Sequence, residues 1–284
     1  MPPAGLPGAS WTLASRRSQA AGEEESMKIY MMTDLEGAAG VNRWVQTREG
    51  ETPEKAAAMK LLTGEVNSAI EGIRDAAPDA EIVVLDGHGT GGLVFELLHP
   101  AAQYIMHGRG LRAPYGLDRS FDAVFFVGQH AMAGTPDAPL CHTYSSRHIE
   151  HYKLNGSLIG EIGCFAAMAG ALGVPTVFLS GDDRACAEAR EIIPEIVTVP
   201  TKQGMGIELA LHLAMQRARV AIRAGAARAI RHLSGIGPFR VDPPYTLEIR
   251  VLEGQGIETY LQSGAEKVDD RTIVKRSESL NALF

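Results

Sequence analysis

With 284 residues, 45% of them apolar and 21% charged, the chain has ordinary globular composition and ample material for a core. A net charge of −7 argues against nucleic-acid partners, whose phosphates need clustered Lys and Arg, and no apolar run approaches the roughly 20 residues that span a membrane. Three cysteines (Cys141, Cys164 and Cys186) with no C-x-x-C pair argue against a disulfide framework or a thiolate zinc site, and point to the cytoplasm.

Residues 1–26 are rich in Pro, Gly, Ala, Ser and Glu and read as a disordered or mis-assigned N-terminal extension. Arg16-Arg17 lacks the apolar core an export signal requires, whereas Met27-Lys28-Ile29-Tyr30 opens into a strand, so Met27 reads as the natural start. Strands are expected at 28–33, 81–85, 103–106, 123–127 and 175–179, with helices at 53–76 and 157–172. Such alternation predicts an α/β fold over 27–204, a mostly parallel sheet flanked by helices. Beyond it, a helical pattern at 206–232, a Gly-Ile-Gly-Pro break and strand-like 246–252 and 272–275 predict a smaller C-terminal α+β portion over 205–284. The arginines of 217–231 lie within the helical pattern and read as its solvated face.

Polar residues gather where strands end. The first strand runs into Asp34-Leu35-Glu36-Gly37, whose alternate residues present two carboxylates to one side. The second ends in Asp86-Gly87-His88-Gly89 and the fourth in Gly128-Gln129-His130. Open α/β sheets place their ligands at these ends. Glu161 follows in the first turns of a helix, between Gly160 and Gly163. Asp34, Glu36, His88, His130 and Glu161 together carry the oxygen and nitrogen donors of a divalent-metal site. Taken singly, each has a structural alternative: Asp34 a turn cap, the histidines hydrogen-bonded loop residues, Glu161 a favourable charge at a helix start. Asp182 reads as an N-cap, Asp86 as a turn cap or a partner of His88, and Lys202 as a loop lysine or a substrate contact. Cys141 beside His142 does not make a nucleophile pair, since neighbours on an extended chain point apart.

In order and spacing, Tyr30-Met31-Met32-Thr33-Asp34-Leu35-Glu36-Gly37, Asp86-Gly87-His88, Leu98-His99-Pro100, Gly128-Gln129-His130-Ala131, His142, Gly160-Glu161-Ile162-Gly163, Gly181-Asp182-Asp183-Arg184 and Lys202-Gln203 resemble the bacterial zinc D-aminopeptidases of dipeptide-transport operons, the DppA-like family. The motifs cover 27 to about 205, and the remainder is similar by length and pattern. The resemblance implies two Zn2+ per subunit, with Asp34 bridging, Glu36 and His88 on one ion, and His130 and Glu161 on the other. It also implies His142 as the catalytic histidine, short peptides with an N-terminal D-residue such as D-alanine as substrates, and a homo-oligomer of ten subunits. Longer segments between His130 and His142 and between Arg147 and Glu161, and Cys164-Phe165 where the family often has Asn, bear on the substrate pocket rather than on the ligands. Two alternatives are another metal-dependent amidase or hydrolase on the same scaffold, and a non-catalytic peptide-binding relative.

Overall fold

Continuous apolar runs, buried on both sides, build the main sheet. The computed structural model describes residues 26–48, 50–106 and 111–284, so the expectation for the N-terminal extension lies, Ser26 apart, outside the described residues. In chain order come β1 (Lys28–Thr33), α1 (Pro53–Ala76), β2 (Glu81–Asp86), β3 (Gln103–Ile105) and β4 (Ala123–Gln129). Next are β5 (Ile149–Leu154), β6 (Ser157–Ile159), α2 (Glu161–Ala171), β7 (Thr176–Asp182), α3 (Asp183–Ile192), β8 (Val197–Gly206), β9 (Leu209–His212) and α4 (Met215–Arg231). Then β10 (Tyr245–Val251), α5 (Glu258–Gln262), β11 (Glu266–Lys267) and β12 (Thr272–Ser277) complete the set.

The first sheet has the order β3-β2-β1-β4-β7-β8-β9, parallel except at β9. The second is antiparallel, β11-β12-β10-β5-β6. All seven residues of β4 and of β7 are buried, as expected for parallel strands covered by helices. The chain steps from β1 outward to β2 through α1, and from β4 the other way to β7 and β8 through α2 and α3. Right-handed crossovers therefore put these helices on opposite faces. The order reverses between β1 and β4, which opens a crevice at their carboxyl ends.

Helix α1 starts where its sequence signals: the Thr52 side chain accepts from Lys55 N at 3.1 Å, and Pro53 takes the first position. Its stripe of Ala58, Leu62, Val66, Ala69, Ile70 and Ile73 is fully buried. Helix α4 packs along it, close enough at Gly72 that a Cβ would lie 2.2 Å from Arg223 O. The basic stretch is a solvated face there, with Arg223 paired to Glu71 and Asp75 at 2.7 Å each. Among the described residues no helix is long and apolar enough to cross a membrane.

The structure departs from the sequence reading in three places. Residues 157–159, expected to be helical, form β6, and the extended Gly160 separates them from α2. Residues 206–212, also expected to be helical, complete the β8–β9 hairpin, so α4 begins only at Met215. In Leu209-Ala210-Leu211-His212 pairing to β8 outweighs any local preference. Residue 204 falls inside β8, and the antiparallel sheet recruits β5 and β6 from before it as well as β10 to β12 from after it.

Candidate metal centre and active site

Backbone geometry seats the first acidic loop on the end of β4. Asp34 N donates to Val127 O at 3.0 Å and Gly37 N to Gly128 O at 2.7 Å. Gly128 has a φ of +81°, and a Cβ there would lie 2.1 Å from Asp34 O; one on Gly37 would lie 2.1 Å from Gln129 O. Only glycine permits both approaches, and they bring Asp34 and Glu36 alongside His130. Glu161 arrives as the first residue of α2, and His142 from the loop after β4.

All six residues singled out in the sequence converge. Asp34 faces two ways: its Oδ1 lies 3.0 Å from His88 Nδ1, and its Oδ2 lies 3.1 Å from His130 Nε2. Glu36 Oε2 is 3.1 Å from His88 Nδ1, and Glu161 Oε1 is 3.5 Å from His130 Nε2 and 3.9 Å from His142 Nε2. The His130 and His142 rings stack with centroids 4.0 Å apart. Donor atoms of Asp34, Glu36 and His130, and of His130, His142 and Glu161, lie within 4.8 Å of one another, so distance alone also admits His142 as a ligand.

Backbone carbonyls orient the three imidazoles. His88 Nε2 lies 3.0 Å from Thr47 O, His130 Nδ1 2.8 Å from Ala131 O, and His142 Nδ1 2.9 Å from Leu140 O. In the neutral form that a metal ligand requires, each imidazole gives its one N–H to that carbonyl and turns the lone pair of its other nitrogen toward the carboxylates. Lone pairs facing carboxylate oxygens near 3 Å repel unless a proton or a metal cation lies between them. Consistently, the buried Glu36 Oε2 and His130 Nε2 have no hydrogen-bond partner. Burial alone would raise Asp34, but His130 and His88 outweigh it and hold its carboxyl well below the ordinary range. Burial likewise works against charged His88 and His130, yet the surrounding carboxylates raise both well above an ordinary histidine. His142 moves the other way, lowered by burial and by the charge of His130. A site that draws positive charge so strongly, through oxygen and imidazole donors, fits divalent metal ions.

Neighbouring residues fix this frame. Asp86 is a turn cap, accepting from Gly92 N at 2.9 Å and Leu93 N at 3.3 Å. Asp182 caps α3, accepting from Arg184 N and Ala185 N at 2.9 Å each. Lys202 is neither a loop lysine nor a substrate contact. It is 2% exposed, and its Nζ donates to the backbone carbonyls of Glu36, Ala38 and Val41, stapling the acidic loop from beneath. Burial depresses its pKa to about 8. No local signal marks this role: Lys202 lies inside β8, and the carbonyls it reaches belong to a loop 161 to 166 residues earlier in the chain. Cys141 is raised by burial, which keeps the thiol protonated and inert.

The cluster opens into a cavity of about 470 Å³. Met32, Leu85, Leu111, Tyr115, Phe126 and Phe165 form its apolar lining, and Arg48, Ser145, Ser146 and Arg147 are among the polar residues. Trp44, absent from the sequence reading, meets the His142 ring edge-on at 5.9 Å. Tyr144 N donates to Glu161 Oε1 at 2.6 Å, and its ring rests on Tyr152 of the antiparallel sheet.

A helix-covered parallel sheet with carboxylates and imidazoles converging at its switch point beside a cavity has the build of a metal-dependent α/β hydrolase. The peptidase M55, or D-aminopeptidase, family model matches residues 27–284, and the chain belongs to that family. It is a metallopeptidase of the D-aminopeptidase type. A D-aminopeptidase of Bacillus subtilis (strain 168) is 29% identical over 255 residues, covering 88% of this chain and 90% of the relative. A solved structure described as the Zn-dependent D-aminopeptidase DppA from Bacillus subtilis, a self-compartmentalizing protease, superposes with a TM-score of 0.85 at 27% identity, covering 90% of this chain and 94% of that one. The family match runs through the C-terminal part, beyond the last sequence motif at Lys202-Gln203.

Proposed function

We propose that the chain holds two zinc ions and uses them to remove N-terminal D-amino acids, such as D-alanine, from short peptides. The observation that carries this reading is the two-faced Asp34, with one carboxylate oxygen turned to His88 and the other to His130. Asp34, Glu36 and His88 would hold one ion, and Asp34, His130 and Glu161 the other. When bound, the pair supplies Lewis-acid polarisation of the scissile carbonyl and an acidified water as nucleophile.

The chain's own residues do the rest. Lys202 keeps the Glu36 backbone in place, and the Leu140 carbonyl holds the His142 proton on Nδ1. His142 Nε2 is thereby left able to accept a proton or, once protonated, to stabilise an oxyanion. The lowered pKa of this imidazole keeps it in the neutral form that can accept a proton. Met32, Leu85, Phe126 and Phe165 give a bound peptide an apolar wall beside the cluster.

A homo-oligomer also belongs to this reading. The relative of solved structure is described as self-compartmentalizing, and here Met205, Ile207, Leu209 and Leu211 expose more than half their surface along the β8–β9 hairpin at the sheet edge.

The test is hydrolysis of D-alanyl and L-alanyl p-nitroanilide before and after chelation, with zinc returned. We expect D-selective activity that disappears with the chelator and is restored by zinc. Metal-dependent but L-selective cleavage would overturn the substrate assignment, and a chain that binds no zinc would overturn the metal site.

A further inference from the structure

The cavity that reaches the metal cluster is also lined by two arginines that the chemistry above does not use. Contacts on both the guanidinium face and its edge help to hold Arg48. Its guanidinium carbon lies 3.4 Å from the centroid of the Trp44 ring, its Nε donates to Ser146 Oγ at 2.9 Å, and an Nη donates to Ser146 O at 3.3 Å. Arg147 is the next residue in the chain and lines the same cavity. Trp44 in turn meets the His142 ring at 5.9 Å, so His142, Trp44 and Arg48 form a continuous column. Two ring contacts of 5.9 and 3.4 Å keep the Arg48 charge within reach of the reacting centre.

Peptide dimensions match that reach. From the scissile carbonyl carbon of a dipeptide, the C-terminal carboxylate carbon is three bonds away, at most about 3.7 Å, and each added residue carries it up to about 3.5 Å further. A charge-assisted Arg–carboxylate pair spans about 4 Å more between carbon atoms. A dipeptide or tripeptide at the metal cluster would therefore bring its carboxylate to the Arg48 guanidinium, in the cavity that Arg147 also lines. A longer or amidated peptide would bring only a neutral carbonyl there.

We infer that Arg48 and Arg147 form the recognition site for the substrate's free C-terminal carboxylate, which makes this peptidase favour di- and tripeptides over longer or carboxylate-free substrates. The inference rests on the D-aminopeptidase reading proposed above. Arg48 is preorganised by stacking and by Ser146, so little freedom is lost when the carboxylate arrives. The planar fork of a guanidinium fits a carboxylate better than it fits a single carbonyl oxygen.

The experiment compares kcat/KM for D-alanyl-D-alanine with that for its C-terminal amide on the zinc-loaded full chain. We expect the acid to be favoured by about tenfold or more, the margin between a charge-assisted and a neutral hydrogen bond, chiefly through KM. Arg147→Met and Arg48→Met should each shrink the acid-to-amide ratio, the double variant should bring it near one, and Arg147→Lys should retain part of it. Because Arg48 also holds Ser146, the exposed Arg147 carries the test if Arg48→Met fails to fold. Equal cleavage of acid and amide by the wild type overturns the inference, as do variants that lower both substrates in proportion. Cleavage of neither substrate by the zinc-loaded wild type overturns the D-aminopeptidase reading itself, and this inference with it.

Discussion

Along β10 of the antiparallel sheet the charged side chains alternate with buried ones and reach both solvent and a partner; at the carboxyl ends of β1, β2 and β4 they are buried and face one another. In β10, Leu247, Ile249 and Val251 point inward, while Glu248 pairs with Lys153 at 2.8 Å and Arg250 with Asp269 at 3.1 Å. In the crevice, Asp34, Glu36, His88 and His130 are each at most 8% exposed. The first arrangement satisfies each polar group where it stands. The second leaves a demand for positive charge that burial makes expensive to ignore, and so prepares a binding site. One sheet contributes stability, and the other holds chemistry at its edge.

That contrast can be broken most severely at His142. His142→Ala should lower kcat by about 10²–10⁴-fold, the usual contribution of a positioned acid–base group, with zinc content unchanged. Steady-state kinetics beside metal analysis checks it, and retained kcat would remove His142 from the reaction. In the antiparallel sheet the effect should be of the other kind. Ile249, 2% exposed and between Tyr152 and Ile273, should cost about 2–5 kcal/mol of stability when changed to Ala. Below the unfolding transition kcat/KM should stay within about twofold, because Ile249 itself lines neither the cavity nor the cluster. Denaturant melts beside rates test this, and a large loss of rate in the folded variant would mean that the sheet tunes the site.

Lys202 links the two behaviours, as a buried charge whose hydrogen bonds go to backbone carbonyls and whose charge faces Asp182 and Glu65. Lys202→Met should weaken zinc binding by about 10–100-fold, as loss of a residue that supports ligands does, measured by chelator competition. It should also change the pH profile of stability. The folded lysine loses its proton near pH 8, while an unfolded one keeps it to its ordinary 10.5, so the unfolded chain binds more protons in that window. Stability of the wild type therefore gains a rising contribution from pH 8 to 10.5, and the Met variant should lack it.

Much of this was legible in the chain before folding. Helix α1 begins and ends where its Thr-Pro start and apolar stripe place it, and Asp182 caps α3. These signals act within a few residues. The candidate ligands could be named because a parallel sheet delivers every strand end to one edge, so Asp34, His88 and His130 share a location whatever the loops do. Signals failed where pairing between distant segments decided. Leu209–His212 became a strand because β8 lay beside it, and Ser157–Ile159 because β5 did. Lys202 reaches carbonyls up to 166 residues away, a contact no local pattern encodes.

Residue order alone thus settled which donor atoms this protein owns and at which edge of the sheet they gather, since hydrophobic periodicity and strand direction are local properties. Folding alone decided that Asp34 turns one oxygen to each of two histidines, that three backbone carbonyls set which imidazole nitrogens stay bare, and that a buried lysine braces the acidic loop. Those are contacts between segments far apart in the chain, and their energies depend on distances and burial that exist only once the sheets and loops have closed around them.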